Sequence, residues 1–162
     1  MIITPEKLHQ YLKTNLYPIP KDYMATNNFG WWELTINQIE LPSLDVLKNL
    51  LSIVVILQVY RDKVFKKPIT ITSGWRSEHY NAKIGGAKNS FHVQGLALDF
   101  TVKAMKPEDV FMIFDKTFYG GLELAPSWTH IDNRGRIARF NDKNITLAHH
   151  FNLTEHDKVF KK

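Results

Sequence analysis

The stretch Ser73-Gly-Trp-Arg-Ser-Glu-His-Tyr-Asn-Ala-Lys-Ile-Gly-Gly-Ala-Lys-Asn-Ser-Phe-His-Val-Gln-Gly-Leu-Ala-Leu-Asp99 decides how this chain is read. Just before it, Ile69-Thr-Ile-Thr72 alternates apolar and polar side chains, which is the period of a strand. Ser77 to Ile84 fits a short helix that Gly85-Gly86 ends. Leu96 to Val102 alternates again, with Leu96, Leu98 and Phe100 on one face and Ala97 and Asp99 on the other. Gly95 permits a tight entry into that strand, and the small Ala97 beside Asp99 leaves room for a ligand.

Outward from this stretch, Thr4 and Pro5 suit the start of a first helix over 4–13, with Leu8 and Leu12 on one face. Residues 17–31 carry Pro18, Pro20 and Asn27-Asn28-Phe29-Gly30 and read as loop. Trp31 and Trp32 are expected in the core. Ser43 caps a long helix to about Phe65, apolar on nearly every side between Leu47 and Leu57 and so expected at the centre of the fold. Lys66-Lys67-Pro68 stops it. Pro107 to Thr117 is a further helix, with Glu108 and Asp109 in its first turn. Three short strands are predicted over 121–124, 128–132 and 136–140, with a turn at Asn133-Arg134-Gly135. A short helix after Leu153 is the one element expected in the tail. Helices followed by short strands imply an α+β fold, a small antiparallel sheet packed with helices. No linker, repeat or low-complexity segment divides residues 1–162, so one domain is expected, with residues 69–140 as its motif core.

Composition narrows the chemistry. The 162 residues contain no cysteine, which excludes disulfides, thiolate zinc sites, iron–sulfur clusters and a thiol nucleophile. Any metal must be held by His, Asp or Glu. The apolar run from Leu50 to Leu57 is interrupted by Ser52 and ends at Gln58, far short of the ~20 residues of a membrane span. The first residues, Met1-Ile-Ile-Thr-Pro-Glu, lack the basic and apolar regions of a signal peptide, so synthesis in the cytoplasm is expected. A net charge of +5 favours polyanions without choosing among them. The sequence has no nucleic-acid module or Arg-rich helix, so no nucleic-acid partner is expected.

Two histidines bracket the informative strands. His92 lies just before the Ala97–Val102 strand, and His130 lies on the Trp128-Thr-His-Ile-Asp132 strand, with Asp132 on its face. Two imidazoles and the Asp99 carboxylate make a three-ligand set for catalytic zinc that leaves a fourth position for water. On composition alone, unrelated histidines and an isolated Asp99 ion pair would be the better reading.

The motifs Ser-Gly-Trp-Arg-Ser (73–77), Gly-Gly-Ala-Lys-Asn-Ser-Phe-His-Val-Gln-Gly-Leu-Ala-Leu-Asp (85–99) and Trp-Thr-His-Ile-Asp (128–132) resemble the zinc D-Ala-D-Ala carboxypeptidases and their peptidoglycan endopeptidase relatives. Those enzymes share a metal-binding fold with lysostaphin-type enzymes and the hedgehog signalling domain. The resemblance covers about residues 69–140, and its Ser-x-His-x-x-Gly-x-Ala-x-Asp core (90–99) is specific.

The resemblance implies that His92, Asp99 and His130 bind Zn2+, that Arg76 binds the substrate carbonyl oxygen and steadies the oxyanion, and that Ser90 hydrogen-bonds substrate. Many members carry Glu or Asp three residues before the last ligand, as general base. Here that position is Ser127, which cannot take a proton from water at neutral pH. Asp132 is the first substitute and Glu123 the second. Two roles stay open for Asp132: proton shuttle, or a group that orients His130 or pairs with Arg134. For Ser90 a capping role stays open. His79, His9 and His156 are expected at the surface, and His149-His150 point apart on regular structure.

The resulting expectation is a monomeric zinc metallopeptidase hydrolysing a peptide bond of bacterial peptidoglycan, as a D,D-carboxypeptidase or an endopeptidase. With no signal peptide it would reach the cell wall as a phage lysis enzyme or on a virion. The alternative is a non-catalytic, zinc-stabilised module that binds a wall peptide or a protein partner.

Overall fold

The computed structural model describes residues 1–15, 17–35 and 40–141. Helix α1 spans Pro5–Asn15, α2 Trp31–Leu34, α3 Leu44–Val59, α4 Glu78–Lys83 and α5 Pro107–Asp115. The strands are β1 Ile69–Ser73, β2 Ala97–Val102, β3 Gly121–Leu124, β4 Thr129–Asp132 and β5 Ala138–Asn141. They form one five-stranded sheet in the order β1-β2-β4-β3-β5. The α+β expectation holds. The pairs β1–β2, β2–β4 and β3–β4 are antiparallel as expected, but β5 joins β3 in parallel, so the sheet is mixed. The turn after β4 is long enough to carry the chain back before β5 pairs. The helix expected after Leu153 lies outside the described residues.

Helix α3 begins where Ser43 accepts a hydrogen bond from the Val46 amide, the expected N-cap. Leu47, Leu50, Ile53, Val54 and Leu57 make its buried stripe. The helix is not surrounded on every side, since Val55 and Val59 are exposed. Its β-branched residues therefore reflect one packed face and one open one. After Val59 the backbone widens into a π-helical turn over Tyr60–Phe65. In that wider turn Tyr60 and Phe65 both reach the core, where Tyr60 stacks on Phe114 with ring centroids 3.9 Å apart. Trp31 is buried and donates its indole N–H to the Ile3 carbonyl at 2.8 Å, whereas Trp32 is partly exposed.

The sheet has two unlike faces. Leu98, Phe100, Leu122 and Ile131 are fully buried, and Phe100 packs on Phe114 of α5. The other face carries Ser73, Asp99, His130, Glu123 and Phe140, one from each strand, in a single cross-strand row. A β-bulge between Ile71 and Ser73 puts Ile71 beside Phe100 and Ser73 beside Asp99. An uninterrupted strand would have set Thr72 there instead.

Arg139, on β5, ties the last strand to the end of α5. Its Nε donates to Asp115 Oδ1 at 2.6 Å, and its Nη1 and Nη2 donate to the carbonyls of Gly120 (2.7 Å) and Phe118 (2.8 Å). The side chain is only 4% exposed, so its loss leaves buried acceptors without a donor. Arg139→Ala is expected to lower the unfolding free energy by about 3 kcal/mol, read by urea denaturation. A loss below about 1 kcal/mol would contradict that assignment.

Candidate metal centre

His92 sits on the turn between α4 and β2. Successive backbone bonds shape that turn: Val93 N–H to the Ser90 carbonyl, Gly95 N–H to the His92 carbonyl, and Leu96 N–H to the Phe91 carbonyl. Gly95 has a left-handed φ of +72°, and a Cβ there would stand 2.5 Å from the Val46 carbonyl oxygen. Asn49 Nδ2 donates to the Gln94 carbonyl at 2.9 Å. The turn is thus moored to the first turns of α3. His92 Nδ1 donates to the Gly74 carbonyl at 2.7 Å, which turns Nε2 the opposite way.

That nitrogen faces the sheet row. His92 Nε2 lies 3.2 Å from Asp99 Oδ1 and 3.3 Å from His130 Nδ1, and His130 Nδ1 lies 2.7 Å from Asp99 Oδ1. Tetrahedral zinc with bonds of about 2.0–2.1 Å requires donors about 3.3 Å apart, which the two His92 separations match and the 2.7 Å pair undershoots. Two ring nitrogens and an acid oxygen converging this closely must share either protons or a cation. His92, Asp99 and His130 could therefore hold a metal, as the sequence anticipated.

Arg76 completes the cluster. Its Nη2 donates to Asp99 Oδ2 at 2.8 Å and its Nε to Ser73 Oγ at 3.0 Å. The β-bulge is what brings Ser73 within reach. Burial pushes the Asp99 carboxyl up, but hydrogen bonds and positive charge from His130 and His92 outweigh it and hold the group well below the usual carboxylate range. Burial likewise disfavours protonated His130, but bonding to Asp132 and Asp99 raises the ring to about 9.

Asp132 makes the contacts of the second of its two candidate roles. It is fully buried and meets His130 at Nε2, 3.2 Å away, on the ring edge opposite the donor cluster. Arg134 grips it from behind, Nε to Oδ1 at 2.7 Å and Nη2 to Oδ2 at 2.5 Å. Its row neighbours are Ala97 and Gly121, and a Cβ on Gly121 would stand 2.3 Å from Asp132 Oδ2. Such a carboxylate is placed to orient His130.

Ser90 Oγ accepts the His92 amide at 3.3 Å, the capping geometry. Ser127 belongs to the other side of the sheet. It lines a small cleft with Phe100, Val102 and Val110, beyond the strand end where Thr129 pairs with Phe100. Glu123 is half-buried and directly opposite His130 on the donor face. His79 is exposed, while His9 is half-buried and bonded to the Pro42 carbonyl at 3.1 Å. His149, His150 and His156 lie outside the described residues. Sequence reading missed the structural part of Ser73, which the bulge hides, and it named Arg134 as a candidate partner of Asp132.

Residues 28–132, well over half of the chain, match the model of the family described as Peptidase M15. The match contains all three candidate ligands, and the α+β architecture agrees with that family's fold. No curated protein matches the chain.

Zinc must displace the proton that His130 carries at neutral pH. Its affinity should therefore rise about tenfold per pH unit from pH 6 and level off near the ring's value of about 9. Competition titration with a chromophoric chelator between pH 6 and 9 reads this directly. A flat profile would contradict the assignment of His130.

Proposed function

The chain belongs to the peptidase M15 family, and we propose that it is a zinc-dependent peptidase cutting a peptide bond of bacterial peptidoglycan. The observation that carries the metal part is the convergence of His92 Nε2, Asp99 Oδ1 and His130 Nδ1 at separations of 2.7–3.3 Å. Zinc, when bound there, supplies Lewis acidity toward the scissile carbonyl and a water acidified to a pKa near ~7.

The protein's own groups do the rest. Arg76 is held by Asp99 and Ser73 through two of its five N–H groups, and its side chain is 18% exposed. It offers its remaining donors to the oxygen that gains charge as the carbonyl is attacked. Ser90 accepts from the backbone and keeps its own hydroxyl proton for a substrate acceptor. Glu123 is the carboxylate directly opposite His130 in the donor-face row. It is the group proposed to take the proton from water and pass it to the leaving amine.

The surrounding features suit this substrate. A charge of +5 favours an anionic wall. Among the described residues no helix is long and apolar enough to cross a membrane. We further propose that the protein acts as a monomer, and that it reaches the wall as a lysis enzyme or on a virion. The second reading, a zinc-stabilised binding module, is favoured by one observation, the serine at position 127 on the face away from the donors.

Incubation of the purified protein with peptidoglycan separates the two readings. The enzyme is expected to release new amino groups, to stop with chelator and to recover with zinc. His92→Ala should lose both zinc and activity. Glu123→Gln should keep its zinc while kcat falls about 100-fold or more. One bound zinc without any release of amino groups would sink the peptidase and leave the module.

A further inference from the structure

We propose that Arg134 is a positioning residue for the metal centre: a guanidinium clamped between two aromatic rings that fixes, through Asp132, which nitrogen of His130 faces the metal. The proposal rests on the zinc reading above and adds to it the device that keeps the third ligand ready. The Arg134 guanidinium lies 4.9 Å from the Phe91 ring centroid and 4.9 Å from that of Phe140. It therefore makes cation–π contact with both. From that seat it reaches both Asp132 oxygens with a two-pronged contact, the strongest carboxylate geometry a side chain offers.

The consequence follows from donor and acceptor chemistry. A carboxylate already gripped by a cation is an acceptor alone, so the hydrogen on the Asp132–His130 contact belongs to His130 Nε2. A ring with its hydrogen on Nε2 presents a lone pair at Nδ1, the atom that faces Asp99 and His92. Asp132 without Arg134 would be a buried carboxylate held by one imidazole and free to rotate. That rotation would let the ring turn.

The clamp also ties the centre's parts together. Phe91 immediately precedes the ligand His92, and Phe140 occupies the donor-face row on β5, with its ring 6.0 Å from that of His130. One side chain from the turn after β4 thus touches the turn bearing the first ligand, the last strand, and the support of the third ligand. The space is prepared for it, since Gly121 and Ala97 flank Asp132 where larger residues would displace its carboxylate.

The test uses the full chain with Arg134→Lys and Arg134→Gln, folding being checked by circular dichroism. Two quantities are read: zinc affinity by chelator competition, and the imidazole nitrogen signals of His130 in the zinc-loaded protein by long-range 1H–15N spectroscopy. Wild type should take up one zinc and show His130 hydrogen on Nε2 alone. Both variants should bind zinc about 10–100-fold more weakly. Their His130 signals should depart from the single Nε2–H pattern. Lysine should not restore it, because a point charge cannot reproduce the fork. Should Arg134→Gln not fold, the charge-conserving Arg134→Lys decides alone. Unchanged affinity, or weakened affinity with an unchanged His130 pattern, overturns the positioning role. A wild type that takes up no zinc refutes the metal reading itself, a result distinct from either.

Discussion

A single buried carboxylate organises this protein. Asp99 lies 2.7 Å from His130 Nδ1, meets His92 and pairs with Arg76. Each of those partners arrives from a different part of the chain. An isolated anion at that depth would be intolerable, and the three contacts are what keep it charged. The rest of the architecture can be read as the means of delivering them. Pairing of β2 with β4 sets His130 beside Asp99. The bulge in β1 turns Ser73, which holds Arg76, toward the same row. The turn before β2, moored on α3 at Gly95, drops His92 from above.

That design places ligands on stiff elements and leaves the adaptable groups around them. His130 and Asp99 lie on paired strands, where the register admits one neighbour each. His92 is on a turn, but its ring is pinned by the Gly74 carbonyl and its backbone by Arg76 and Gly95. Asp132 and Arg134 add a second tier behind His130. A metal centre built this way loses little freedom when it takes its ion, which favours tight binding at a fixed geometry.

Much of this could be read from local periodicity. The alternation at 69–72 and 96–102 identified two strands, and Ser43, Pro107 and Gly85-Gly86 marked helix ends where the backbone confirms them. The three donors emerged because His92, Asp99 and His130 sit in a dense motif. What periodicity could not give was long-range register. The bulge at Thr72 shows no local signal, and neither does the parallel seat of β5 or the π-turn that puts Tyr60 and Phe65 on one side. Asp132 was correctly placed on the face of His130, but alternation cannot say which edge of an imidazole a neighbour touches. Only the coordinates separate a carboxylate at Nε2 from one at the metal side. The buried Arg139 was invisible for a related reason, since its partners lie some twenty residues away.

X-ray absorption at the zinc edge, on protein loaded with one equivalent, reads the donor set of the ion. A shell of two imidazole nitrogens and one carboxylate oxygen at about 2.0–2.2 Å plus a light fourth ligand is expected. Asp99→Ala and His130→Ala should each remove their own contribution. A spectrum with a different ligand set, or one unmoved by either substitution, would contradict it.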